Sequence, residues 1–334
     1  MALILASLAM LLVQGAAPDK TGQVVAKKTA SVDRDWSLYV HRGYKPGAAT
    51  PFILSSHGRD GRGKGEINQW TDLAEKNGWI VAAADFSISS GRPGTIEDDE
   101  KVALEIWGYV TKNYAVDRTA CMITGFSGGG HITYGIGSRH PDKWTYWGGR
   151  SANFAAQLLA GEDVLKKAAE TVSIYIYYGS KDHEFILAEA PRANDHFTKL
   201  GFKDIKFEKI EGMGHESRAA TCAAWFIEKV DAAKKREALM APAKKAMEAA
   251  DKALEKGNLS TAVSELKKAD AHMKKHKLGD DAAKRIDALA DKEIEKAAAA
   301  EKDEALKTLE AARKAFAGTE AVKRIEEKLK ELGK

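Results

Sequence analysis

The stretch Cys121-Met122-Ile123-Thr124-Gly125-Phe126-Ser127-Gly128-Gly129 decides how the rest of the chain is read. An apolar, β-rich run over 121–124 leads into a serine with glycine two positions either side, and a run of helical period follows over 129–140. A tight strand-to-helix turn has no room for a Cβ at those two positions, because it would clash in the strained backbone. Such a turn lifts the serine hydroxyl above the sheet. A glycine-rich phosphate loop is the competing reading. It is disfavoured because these glycines follow the fourth strand rather than the first, and because the turn holds neither Gly-x-Gly-x-x-Gly nor a closing Gly-Lys-Ser/Thr.

Working outward, strands are predicted over 36–41, 51–56, 79–85, 120–125, 144–148, 172–178 and 205–210. Helices are predicted between them over 66–76, 98–113, 129–140, 152–169, 188–200 and 217–230. Runs such as Phe52-Ile53-Leu54 and Ile174-Tyr175-Ile176-Tyr177 are continuously apolar, as in strands covered by helices on both faces. Repeated β-α-β units of this kind make an α/β fold with a doubly wound, mostly parallel sheet. Ligands of such sheets bind at the carboxyl ends of the strands.

A serine is a weak nucleophile and needs a base within hydrogen-bond reach, itself oriented by a carboxylate. In this architecture the chain order is serine, acid, histidine. The strand over 174–178 runs into Gly179-Ser180-Lys181-Asp182, which places Asp182 at its carboxyl end, and Gly212-Met213-Gly214-His215-Glu216 puts His215 in a loop before the next helix. Glu184 and Glu216 compete for the acid's role; Asp182 is preferred because it comes earliest after the strand. Two backbone amides must also hold the oxyanion. One is Gly128, which follows the nucleophile; the other is Gly58 or Arg59, in Ser55-Ser56-His57-Gly58-Arg59-Asp60-Gly61. His57 is expected to orient that loop, His183 to line the pocket, and His131 to be structural. Asp60, with Arg62 and Lys64, makes the mouth polar, which suits a hydrated substrate better than a long acyl chain. This chemistry requires no cofactor and no metal.

Residues from about 36 to 230 resemble the α/β-hydrolase superfamily. The combination of His57-Gly58, Gly125-Phe126-Ser127-Gly128-Gly129-Gly130-His131, Gly179-x-x-Asp182 and Gly214-His215 is similar to the branch of polyhydroxybutyrate depolymerases and feruloyl or acetylxylan esterases, and more distantly to dienelactone-hydrolase-like enzymes. The resemblance implies Ser127 as nucleophile, His215 as general base and then acid, Asp182 as orienting acid, and amides near Arg59 and Gly128 as oxyanion hole. Dienelactone hydrolases proper carry Cys where this chain has Ser127. The expected activity is cleavage of carboxylic esters, polymer- or carbohydrate-linked ones among them, through an acyl-enzyme; a serine peptidase of the same fold and an inert adaptor domain are the rivals. Trp70, Trp107, Trp144 and Trp147 need no sugar-stacking role, since this fold uses such residues in its core.

The 334 residues suffice for about two domains, and the composition is lopsided in a way that divides them. All seven Trp lie at or before Trp225, and Phe316 is the one aromatic residue after position 234. The last 100 residues hold 24 Lys and Arg, 20 Asp and Glu, and 24 Ala. That composition predicts an all-α tail over 233–334, with helices over 233–255, 261–276, 281–317 and 320–332 and Ser260 as a cap. Ala253, Gly257, Asn258, Leu259, Ala262, Leu266 and Ala269 resemble part of a tetratricopeptide repeat. The tail is expected to serve a protein partner or self-association. The catalytic domain is assigned to 35–232, with a linker over 18–34.

Residues 1–17 read as a signal peptide, with a short apolar run followed by Gly15-Ala16-Ala17, which implies a secreted or periplasmic protein. No other stretch reaches the length of about 18 apolar residues needed for a membrane span. The net charge of +4 is too small to argue for a nucleic-acid partner. Cys121 and Cys222 read as buried apolar residues rather than a disulfide.

Overall fold

The strand that ends at the quoted serine is the longest of the sheet and lies inside it. The computed structural model describes residues 19–333, and the expected signal peptide lies outside them. Eight strands are present among the described residues: β1 Val24–Lys28, β2 Asp35–Val40, β3 Thr50–Ser56, β4 Ile80–Ala84, β5 Val116–Phe126, β6 Tyr146–Arg150, β7 Ser173–Gly179 and β8 Asp204–Ile210. They form one sheet in the order β1-β2-β4-β3-β5-β6-β7-β8. The β1–β2 and β2–β4 pairs are antiparallel and all the others are parallel.

The order places β4 and β5 on opposite sides of β3, so the chain reverses its direction of winding there. The crevice outside the carboxyl ends of β3 and β5 is therefore the topological switch point, where sheets of this kind bind ligands. Central strands are buried from end to end, with all seven residues of β3 and all five of β4 inaccessible. This accounts for their unbroken apolar sequence. The helices of this part are α1 Gly63–Asn68, α2 Thr71–Asn77, α3 Ser87–Ser90, α4 Ile96–Asn113, α5 Gly130–Arg139, α6 Glu162–Ala168, α7 Glu184–Lys199 and the start of α8 Ala219–Glu255. On α4, the Thr95 hydroxyl caps the Asp98 amide and three acidic residues fill the first turn, both favourable at a helix N-terminus.

The chain divides into two compact units, Met1–Glu228 and Lys229–Lys334. The second contains the remainder of α8 with α9 Leu259–His276, α10 Asp281–Ala298, α11 Lys302–Ala315 and α12 Val322–Glu331. Its core is built mainly from Ala and a few larger residues such as Leu266, Ile286, Leu309, Phe316 and Ile325. Gly257 takes the left-handed conformation (φ +70°) that ends α8, and the Asn258 side chain, rather than Ser260, caps α9 by accepting from the Thr261 amide.

Four expectations need correction. The linker over 18–34 contains β1, which pairs with β2 through all five of its residues. The single helix over 281–317 is two helices, α10 and α11, with a turn at Ala299 and Ala300. The helix over 152–169 shrinks to α6, because residues 153–154 enter a loop that serves the site described next. The helix over 66–76 is split into α1 and α2 at Gln69 and Trp70.

Candidate active site

Ser127 follows β5 directly and has a φ of +52°, in the left-handed region where a non-glycine residue is strained. The turn is closed by backbone approach. A Cβ on Gly125 would lie 2.1 Å from the Gly129 carbonyl oxygen, and one on Gly129 would lie 2.7 Å from the Ser56 carbonyl oxygen. Both distances are shorter than any real Cβ contact, so both positions require glycine. The turn is held from outside by the Asn153 amide, which donates to the Ser127 carbonyl at 2.9 Å.

The loop after β3 meets this turn. A Cβ on Gly58 would stand 3.1 Å from the Ser127 Cβ, so the loop and the serine are immediate neighbours. Among the described residues the amides of Gly58 and Arg59 have no protein acceptor. Gly128 faces the α3 segment, where its Cβ would strike the Ser89 carbonyl oxygen at 2.3 Å. That segment is fixed by the fully buried Asp99 carboxylate, which accepts the amides of Ser87 and Ile88 at 2.8 Å each.

Asp182 and His215 come together through the end of β7. A Cβ on Gly179 would meet the Met213 carbonyl oxygen at 2.0 Å, so only glycine lets the two loops pack. The Lys181 amide then donates to that same Met213 carbonyl at 2.9 Å. His215 Nδ1 donates to Asp182 Oδ1 at 2.6 Å, and the Asp182 carboxylate is further held by the amides of His183 (2.8 Å) and Gly179 (3.3 Å). With Nδ1 the donor, Nε2 is the ring nitrogen free to accept a proton. The His215 ring packs against Phe126, the residue before the serine, with centroids 4.7 Å apart. No hydrogen bond joins the Ser127 hydroxyl to His215 among the described residues. The competing acids lie elsewhere: Glu184 begins α7, and Glu216 accepts from Arg218 Nε at 2.8 Å.

Beside Ser127 lies a cavity of about 220 Å³, lined by Arg59, Ser89, Gly128, His131, Asn153 and Glu189 among others. Phe185, 48% exposed, stands at its edge. His57, expected to orient the oxyanion loop, Asp60, expected at the mouth, and His183, expected to line the pocket, all stand outside that lining. His57 is 3% exposed, with Nδ1 donating to the Gly58 carbonyl at 2.7 Å; Asp60 is exposed; His183 is exposed and lies beside His215, with ring centroids 4.5 Å apart. Burial lowers the His57 and His131 pKa values from the usual imidazole range. Cys121 and Cys222 are free and buried, and burial pushes their thiols up to about 12 and about 11.

Sequence reasoning missed Arg150 and Glu66. Arg150 ends β6 with no exposed surface and pairs with Glu66 on α1 at 2.6 Å. Charged residues scattered through a sequence read as surface, and nothing local marks these two as interior.

No family model matches the sequence, and no curated protein matches it. Solved structures do resemble it. An S-formylglutathione hydrolase from Staphylococcus aureus matches 61% of this chain over 98% of its own, at 14% identity and a TM-score of 0.51. A ferulic acid esterase matches 61% of this chain over 97% of its own, at 17% identity and a TM-score of 0.50. A thermostable esterase covers 62% of each chain at 15% identity and the same TM-score. At such identities the likeness is one of architecture, and with the strand order and parallel pairing described above it gives this chain the α/β-hydrolase fold.

Proposed function

We propose that this protein is a serine hydrolase that cleaves carboxylic esters through an acyl-enzyme. The observation that carries the reading is the meeting at one sheet edge of a serine in a strained turn and a histidine already bonded to a buried carboxylate. Ser127 Oγ attacks the ester carbonyl carbon as His215 Nε2 takes its proton, and Asp182 stabilises the imidazolium that forms. The amide of Gly128, with that of Gly58 or Arg59, receives the tetrahedral oxyanion. Collapse expels the alcohol, which takes the proton from His215; water then repeats the sequence on the acyl-serine and restores the free hydroxyl. The contact between serine and base tightens on substrate binding, as is common for such pairs.

The cavity beside Ser127 is smaller than the roughly 300–1,000 Å³ of sites for drug-sized ligands, which favours a short acyl or alcohol group. Its polar lining favours a hydrated substrate, including one attached to a polymer or carbohydrate. An export signal over 1–17 would place this activity outside the cytoplasm; N-terminal sequencing of the mature protein tests that part. Names of similar structures, an esterase and a hydrolase among them, agree with an ester-cleaving reading.

The test is turnover of p-nitrophenyl acetate and labelling by a fluorophosphonate probe, with a peptide panel alongside. Ser127→Ala should lose both turnover and labelling by more than about a thousandfold. Peptide cleavage without esterase activity would transfer the site to a peptidase. Equal labelling of wild type and Ser127→Ala would end the catalytic reading.

A further inference from the structure

Arg150 carries a guanidinium whose hydrogen bonds reach the strand before Ser127, the end of β3 before the Gly58 loop, and the loop after His215. Its Nε donates to Thr124 Oγ1 at 3.1 Å, three residues before Ser127 on β5. Its Nη2 donates to Ser55 Oγ at 3.0 Å and to the Ser56 carbonyl at 3.3 Å, at the end of β3 directly before His57 and Gly58. Its Nη1 donates to Ser217 Oγ, two residues after His215. Glu66 neutralises the charge at 2.6 Å and is itself held by Ser55 Oγ at 2.6 Å and Trp70 Nε1 at 3.1 Å. The Trp70 ring lies against the guanidinium, 5.4 Å from its centroid.

Stability alone does not explain this arrangement. Removing an ion pair from water costs several kcal/mol per charge, and well-packed apolar residues of the same volume often serve a core as well or better. What an apolar replacement cannot do is hold three separate loops in fixed register. A guanidinium can, because it is planar and rigid and presents its donors in a fixed fork. The Ser217 bond is the informative one, since it ties the guanidinium to the loop carrying His215. On the other side, Tyr177 of β7 donates to the Ser217 and Arg218 carbonyls, so Ser217 is gripped by two neighbouring strands.

We propose that Arg150 is a positioning residue that sets the His215 loop, the serine turn and the oxyanion loop in their reactive register, acting on His215 through the Ser217 hydroxyl. The inference rests on the esterase reading. It predicts an effect on turnover that is out of proportion to any effect on folding, since misplacement of a reacting group by about 1 Å costs about a hundredfold in rate.

The full-length protein with Ser217→Ala tests it, assayed with p-nitrophenyl acetate and by thermal unfolding. The expected result is a fall in kcat of about ten- to a hundredfold with KM nearly unchanged, an unfolding midpoint close to wild type, and recovery of kcat in Ser217→Thr. Arg150→Lys keeps a positive charge opposite Glu66 but loses the fork, and should lower kcat in the same way in folded protein. A Ser217→Ala protein with wild-type kcat would overturn the proposal, as would a lowered unfolding midpoint with unchanged kcat. Ser127→Ala in the same assay separates the two layers. If turnover does not depend on Ser127, the esterase reading fails and the positioning role with it; if it does and Ser217→Ala is indifferent, only the positioning role fails.

Discussion

His57 is buried beneath the loop it was expected to orient, and its two nitrogens have different fates. Nδ1 donates to the Gly58 carbonyl, which leaves Nε2 as a bare acceptor with no partner among the described residues. Protonation there would create a buried charge, so burial lowers the folded pKa of His57, and His131 is depressed for the same reason. Between the folded and unfolded values the unfolded chain binds more protons, so the stability these histidines contribute is present above the unfolded value of about 6.5 and is lost as pH falls through the folded values. Thermal unfolding midpoints should therefore be level just above pH 7 and decline on the acid side, and His57→Gln should make that decline shallower. An unchanged acid limb in His57→Gln would show that His57 contributes none of it. At this scale the candidates Ser127, Asp182 and His215 could be singled out in the sequence because each is marked by its immediate neighbours, a glycine pattern or a strand end. Arg150 and Glu66 are 84 positions apart, and their pairing is created by the fold alone.

Among the elements, glycines separate two kinds of constraint. Gly125 sits where an added Cβ would meet backbone at 2.1 Å, a clash that no side-chain rotation relieves. Gly257 has open space around it but a φ of +70°. Gly125→Ala should therefore cost about 3 kcal/mol or more and remove turnover even where protein can be recovered. Gly257→Ala meets only the left-handed penalty of about 1 kcal/mol, worth roughly 5 °C in the unfolding midpoint of a unit the size of the tail. Calorimetry of the two variants side by side distinguishes clash from strain. The same contrast explains which elements could be read. Buried central strands announce themselves as apolar runs, whereas β1, Val-Val-Ala-Lys-Lys, is an edge strand of alternating exposure whose place is set by pairing with β2 and by Lys27 bonding Asp19 and Tyr109. The break between α10 and α11 falls in an alanine run without glycine or proline, so local propensity favours continuing through it. Packing of the two helices against one another decides the turn instead.

Across the whole molecule, the change in composition near residue 232 is the visible sign of two cores built on different principles. The first unit buries large aromatic residues around a sheet, with Trp70, Trp144, Trp147 and Trp225 all essentially inaccessible. The second closes alanine-rich helices on a narrow apolar stripe. The division falls at Glu228 and Lys229, inside α8, which runs unbroken from Ala219 to Glu255. Composition could reveal the two chemistries but not that one helix passes from one to the other, because a continuous helix needs no boundary signal. The early part of α8 belongs to the sheet's packing: Cys222, Trp225 and Phe226 are buried, and Phe226 meets the rings of Trp79 and Tyr146. A chain ending at Lys235 keeps that segment and every residue of the candidate site. It should fold and hydrolyse p-nitrophenyl acetate with kcat/KM within about threefold of the full chain, because a unit with its own core can fold alone. Insoluble or inactive protein from that truncation would mean that the first unit depends on the tail to complete its core, and the two-core account would have to be abandoned.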